Sequence, residues 1–183
     1  MSIKIVDTYF PNVKIIEPQV FKDNRGSFYE SYNSNEFKDL IGMDVDFVQD
    51  NHSSTDYGTL RGMHYQLHNP QGKLIRVIQG NIFDVVVDLR RSSPTFGEYI
   101  GIEISANSAR QLWVPVGFAH GFYVLSDIAV VLYKMTDYWR SDDEHCLAWN
   151  DPDIGIKWPF KELPIQSKKD SLGKRLSDCG LFV

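Results

Sequence analysis

A chain of 183 residues, 43% hydrophobic and 13% aromatic, has enough apolar material for a substantial core, and one domain spanning residues 1–183 is expected. Its formal net charge of −5 excludes the basic surface that nucleic-acid binding needs, while leaving room for a local basic pocket that takes a small anion. Two cysteines, Cys146 and Cys179, without CxxC spacing suggest neither a disulfide framework nor a zinc knuckle, and no run approaches bilayer length, so a cytoplasmic protein without a membrane partner is expected.

The N-terminal "MSIKIVDTYFPNVKIIEP" mixes charges and prolines into short apolar runs and has no signal-peptide core. "SNEFKDLIG" predicts a short helix: Ser34 as cap, Phe37, Leu40 and Ile41 at helical spacing, Gly42 as the stop. From "RGMHYQ" onward the dominant period is two. In "NIFDVVVDLR", Phe83, Val85, Val87 and Leu89 share one face, and Ile82, Asp84, Val86 and Asp88 the other. "LIRVIQ", "YIGIEIS", "RQLWVP", "HGFYVLS" and "AVVLYKMTDYW" are further strand-like runs, separated by turn signals such as "QGN" and "SSPTFGE". The pattern predicts a mainly β sandwich or barrel with few short helices. From about residue 157 the proline-bearing tail reads as loop with a turn of helix, and it is not expected to fold alone.

Small barrels of the cupin type bind metal through two histidines and a glutamate seven residues before a glycine, followed by a PxGxxH motif. "PVGFAH", Pro115 to His120, matches the second motif, but Lys73 stands seven residues before Gly80, where the glutamate would be. An ammonium group has no lone pair for a metal and stabilises an anion instead. The pattern therefore points to an oxyanion-stabilising pocket, with its histidines free as bases or donors.

"DNRGSFYESYN", "FVQDNHS", "LRGMHYQ", "PQGKLIRVIQGNIFDVVVDLR", "SPTFGEYIG", "QLWVPVGFAHGF", "YKMTDYW" and "WNDPDIGIKWP" occur in this order between about Phe10 and Asp170. Together they resemble the successive blocks of the dTDP-4-dehydrorhamnose 3,5-epimerase family. The resemblance implies a jelly-roll, cupin-like double-stranded β-helix barrel and a homodimer. It implies an isomerase that inverts C3 and C5 of a dTDP-4-keto-6-deoxyhexose through an enolate, with no metal or redox cofactor. Carried over position by position, His64 is the base, Asp170 the carboxylate that orients it, Lys73 the group beside the C4 oxygen, and Tyr133 the proton donor on the opposite face. Arg25, Glu30, Gln49, Asn51, Arg61, His120, Glu144 and Lys169 resemble the nucleotide, diphosphate and sugar contacts. Phe28 and Tyr138 are candidates to pack on base or sugar.

Competing readings of single residues are plainer. His120 alone would be a barrel histidine satisfied by Asp84 or Asp88, and Tyr133 a wall tyrosine. His52, His68 and His145 read as structural or surface residues, and Trp113, Trp149 and Trp158 as core. Competing functions are an epimerase acting at C3 or C5 alone on a dTDP- or CDP-linked sugar, a metal-dependent cupin oxygenase using His64, His68 and His120, and a non-catalytic sugar-nucleotide binding barrel.

Overall fold

The apolar alternation seen in the sequence resolves into two antiparallel sheets in the computed structural model, which describes residues 3–160 and 162–183. The strands are β1 (Ile3–Asp7), β2 (Lys14–Pro18), β3 (Phe21–Asp23), β4 (Gly26–Phe28), β5 (Gln49–Asp56), β6 (Leu60–Gln66) and β7 (Lys73–Gln79). They continue as β8 (Asn81–Asp88), β9 (Tyr99–Ser105), β10 (Gln111–Val114), β11 (Phe118–Val124), β12 (Ile128–Met135) and β13 (Glu144–Cys146). A six-stranded sheet runs β1-β2-β10-β7-β12-β5, and a five-stranded sheet runs β13-β6-β11-β8-β9. Strands adjacent in sequence repeatedly cross from one sheet to the other, as in the expected jelly-roll, cupin-like arrangement. The β3–β4 hairpin forms a separate two-stranded sheet with every residue exposed.

The two faces read from "NIFDVVVDLR" enter two different cores. Ile82 and Val86 point between the sheets, where they meet Val77, Leu112, Phe122 and Val131. Val85, Val87 and Leu89 point to the other side of the five-stranded sheet, onto Ile154, Trp158 and Phe182 of the C-terminal segment. The tail therefore does not stand apart. Each apolar side chain it buries is worth about 1.5–3 kcal/mol, and isolated bridges at Thr59↔Ile165, Leu147↔Lys174 and Arg90↔Phe182 fix its path. Gly173 permits the approach, since a Cβ there would lie 2.9 Å from the backbone of Ala148.

A third cluster covers the outer face of the six-stranded sheet, with Phe37 of helix α1 (Ser34–Ile41) packed on Trp113. The helix is where expected, but its cap is Asn33, whose side chain accepts from the amides of Asn35 and Glu36; Ser34 is the first helical residue. Two further expectations change. The strand read through "AVVLYKMTDYW" ends at Met135, and "TDYW" leaves the sheet. β5, "QDNHSSTD", was not among the predicted strands because it lacks apolar alternation; as an edge strand facing a cavity it has little apolar surface to bury.

Candidate active site

Between the sheets, at the end where β6, β11 and β12 come together, lies a cavity of about 560 Å³. Its five-stranded wall presents Arg61 and His64 from β6 and His120 from β11; its six-stranded wall presents Gln49 and Asn51 from β5, Lys73 from β7 and Tyr133 from β12. Arg61 and His64 have opposite strand parity and should not share a face. They do so because two steps along β11, His120 to Phe122, oppose three along β6, His64 to Arg61, which is a bulge. The strands approach so closely there that a Cβ on Gly62 would lie 2.6 Å from Gly121 Cα.

His64 is directly opposite His120 in the ladder, and each imidazole is backed by an aspartate. His64 Nε2 lies 2.6 Å from Asp170 Oδ1, and the other oxygen of Asp170 accepts from the Gly62 amide at 3.4 Å. Asp170 is 4% exposed. Burial, the largest single influence, would raise its pKa, but the hydrogen bond and charge of His64, the Gly62 amide and the Lys169 charge together hold the carboxyl below its usual range. A carboxylate can only accept, so the His64 proton sits on Nε2 and Nδ1 keeps a free lone pair. His120 Nε2 lies 2.9 and 3.0 Å from the two oxygens of Asp84, which is fully buried in β8. Asp88, the alternative partner, is instead held by Arg90, Ser93 and Thr95.

Lys73 is 8% exposed, and its Nζ donates to the His64 carbonyl oxygen at 3.0 Å. Burial pushes its pKa down to about 8, with Asp84 and Glu144 resisting the shift. At neutral pH it remains charged and poised beside the cavity. Glu144 Oε1 accepts from Lys169 Nζ at 2.8 Å; burial pushes its pKa up, but Lys169, His64 and Trp139 together keep the carboxyl below its usual range. Arg61, Lys73 and Lys169 make a local cationic lining within an acidic chain.

Nine expected residues thus border one cavity: His64, Lys73, Tyr133, Gln49, Asn51, Arg61, His120, Glu144 and Lys169. Asp170 stands behind His64. Four others lie elsewhere in this chain. Arg25 and Phe28 line a separate groove on the β3–β4 hairpin, with Phe28 63% exposed and Arg25 paired with Asp23. Glu30 is half-buried near Asn33, and Tyr138 is exposed just outside the cavity. Trp113 is core as expected, and Trp149 and Trp158 are half-buried.

Gln66, Gln71 and Trp139, which the sequence reading passed over, also border the site, as does His52, which reads from sequence as structural or surface. Three glutamines clasp the segment that carries Trp139. Gln71 Nε2 donates to the Asp137 carbonyl (2.8 Å) and Gln66 Nε2 to that of Tyr138 (3.2 Å), while the amides of Trp139 (2.9 Å) and Arg140 (2.7 Å) donate to the side-chain oxygens of Gln49 and Gln66. Gln66 is 2% exposed. It lies opposite Glu144 in the ladder, and its burial is explained by these backbone contacts, which no pattern in the sequence announces.

The metal-binding alternative needs His64, His68 and His120 to converge. His68 instead points to solvent, with its side chain 79% exposed and its Nδ1 2.8 Å from Asp143, and it does not border the cavity. Asp143 also accepts from the amides of His68 and Asn69, fixing the compact turn before Lys73.

A family model described as dTDP-4-dehydrorhamnose 3,5-epimerase matches residues 7–178. The chain is 52% identical over 172 residues to the dTDP-4-dehydrorhamnose 3,5-epimerase of Pseudomonas aeruginosa, covering 94% of this chain and 95% of the relative. It is also 52% identical to that of Salmonella typhimurium over 176 residues, 96% of each. The crystal structure of dTDP-6-deoxy-D-glucose-3,5-epimerase from Legionella pneumophila, in complex with dTDP-4-keto-L-rhamnose, superposes with a TM-score of 0.95 at 45% identity, covering 98% of this chain and 95% of that one.

Proposed function

The chain belongs to the dTDP-4-dehydrorhamnose 3,5-epimerase family, and from that premise we propose how its residues carry out the reaction. It is an isomerase that converts dTDP-4-dehydro-6-deoxyglucose to dTDP-4-dehydro-L-rhamnose by inverting C3 and C5. The C4 ketone makes the C–H bonds on either side acidic. His64 Nδ1, free because Asp170 holds the proton on Nε2, removes each proton in turn. The enolate oxygen at C4 is stabilised by the Lys73 ammonium, which burial keeps away from competing water. Tyr133 delivers a proton from the six-stranded wall, opposite the wall that carries His64, so removal and return occur on opposite faces of the sugar.

Arg61, Lys169 and His120 supply cations and donors for the diphosphate and sugar, with Gln49, Asn51 and Glu144 as further polar contacts. Arg25, Phe28 and Glu30 keep their expected role in nucleotide recognition if the chain is a homodimer whose exposed β3–β4 hairpin completes the cavity of a second copy. Tyr138 borders the nucleotide. The chain works as one domain in the cytoplasm, its tail supplying Asp170.

The observation that carries this reading is the His64–Asp170 pair and the buried Lys73 meeting in the cavity that Tyr133 faces from the other sheet. Proton NMR in D₂O tests it. Incubation with dTDP-4-keto-6-deoxyglucose should place deuterium at C3 and C5, and His64→Ala should abolish exchange in a folded protein. Tyr133→Phe should slow inversion more than exchange. Exchange that survives His64→Ala would refute the assignment of the base.

A further inference from the structure

Cys146 takes no part in the chemistry above, yet it lies beside the residues that perform it. It is the direct ladder partner of His64 on the edge strand β13, so both side chains project to the same face. A nitrogen of His64, the sulfur of Cys146 and an oxygen of Asp170 all fall within 4.8 Å of one another. Among the described residues this is the one group of three or more potential metal-ligating side chains. A tetrahedral zinc ion with bonds of about 2.0–2.3 Å spaces its ligand atoms by roughly 3.3–3.8 Å, within the span of this group, and would need His64 Nε2 and Asp170 Oδ1, now 2.6 Å apart, to separate. Cys146 is half-buried rather than sealed, and a part of its hydrogen bonding, to the Gly62 carbonyl at 3.6 Å, is of the weak sulfur type.

We propose that His64, Cys146 and Asp170 form an inhibitory site for a thiophilic divalent cation, Zn²⁺ being the fitting case. Three protein ligands of the types N, S and O, with a water completing the tetrahedron, match the composition of an open zinc site. The thiolate and the carboxylate together balance the charge of the ion. As the Zn–S bond forms, the Cys146 thiol proton passes to solvent. The ion lies on the Asp170 side of His64 and takes the lone pair of Nε2, so a neutral imidazole must then carry its proton on Nδ1. That is the nitrogen assigned to accept the substrate proton, and the base is switched off by tautomer while the fold and the rest of the cavity remain intact. This site differs from the metal position of cupins, which Lys73 excludes. The inhibitory consequence rests on His64 being the base; the binding itself does not.

Titration of the full chain with ZnCl₂ by calorimetry, and with Co²⁺ by absorption, tests the proposal. One Zn²⁺ per chain should bind, Co²⁺ should show a thiolate charge-transfer band, and Zn²⁺ should suppress deuterium exchange reversibly with chelator. Changing partners outside the ligand shell already weakens metal sites ~10–100-fold, so Cys146→Ser, which removes a ligand, should weaken zinc at least ~100-fold. That variant should lose the cobalt band and escape inhibition, while its metal-free activity is unchanged; Cys179→Ser should behave as the parent. Should Cys146→Ser fold poorly, X-ray absorption at the zinc edge of the unmodified protein decides, with one sulfur in the first shell expected. No sulfur ligand, or equal zinc affinity and inhibition in parent and Cys146→Ser, overturns the proposal. A protein that binds zinc as described but exchanges no substrate protons would instead refute the assigned function.

Discussion

His64 and His120 face each other across one ladder and are each backed by an aspartate, but the two pairs are built by different means. Asp84 reaches His120 from the neighbouring strand, placed by the pleat of β8 and sealed on all sides. Asp170 reaches His64 from 106 residues away, on a single turn of 3-10 helix in the C-terminal segment. The sheet pair shares both carboxylate oxygens with one nitrogen, whereas the tail pair makes one short bond and leaves His64 more exposed, its side chain at 26% against 9% for His120. A pair within a sheet is rigid and suited to holding a ligand or a charge. The tail pair leaves His64 exposed enough for its other ring nitrogen, Nδ1, to meet the substrate.

The comparison predicts unequal consequences when each carboxylate is neutralised. Asp170→Asn should lower exchange and inversion by ~10²–10⁴-fold, because the imidazole loses the partner that fixes its tautomer. Asp84→Asn should cost less in turnover, and equal losses measured by NMR would erase the distinction drawn between the pairs. Lys73→Met should lower turnover by ~10²–10³-fold, as expected for a lost oxyanion donor, yet make the protein more resistant to urea. The sign follows from its ionisation: the folded pKa, about 8, is below the unfolded value of 10.5, so the cost of the buried charge is fully present below pH 8 and fades as pH rises toward 10.5. The gain at pH 7 is up to ~3 kcal/mol, less whatever the lost hydrogen bond contributed.

Gly173→Ala targets the tail alone. Its added Cβ pushes the segment off Ala148, so activity should drop roughly 10–100-fold with little change in the main unfolding transition, read by calorimetry alongside the kinetics. The smallest effect is in the pH profile. Above pH 8 the rate should decline by about tenfold per unit as Lys73 loses its proton. Asp84→Asn should move that limb to lower pH, because Asp84 helps to keep Lys73 charged; Asp170→Asn should leave it in place.

The same contrast explains what could be read in advance. The period of two located β8 and with it Asp84, and the lysine spaced seven residues before Gly80 marked the cavity floor, since both depend on neighbours along a strand. Asp170 was reachable only through family resemblance, because docking of the tail depends on Ile154, Trp158 and Phe182 finding a sheet face far away in sequence. β5 was hidden by its polar composition, and Ser34 was mistaken for the cap because Asn33 is an equally good one. Arg25 and Phe28 could be named but not placed, since their hairpin does not reach the cavity of its own chain. Trp139 and its glutamines escaped because backbone contacts made by side chains leave no periodic trace.

That clasp has an evolutionary consequence. Residues 137–140 are gripped through their carbonyls and amides by Gln49, Gln66 and Gln71, and Tyr138 and Trp139 are left outside the grip, exposed at the rim. Selection can therefore exchange these two rings for others without relocating the main chain beneath them, which makes the rim a place where substrate preference can drift while the reacting groups stay fixed.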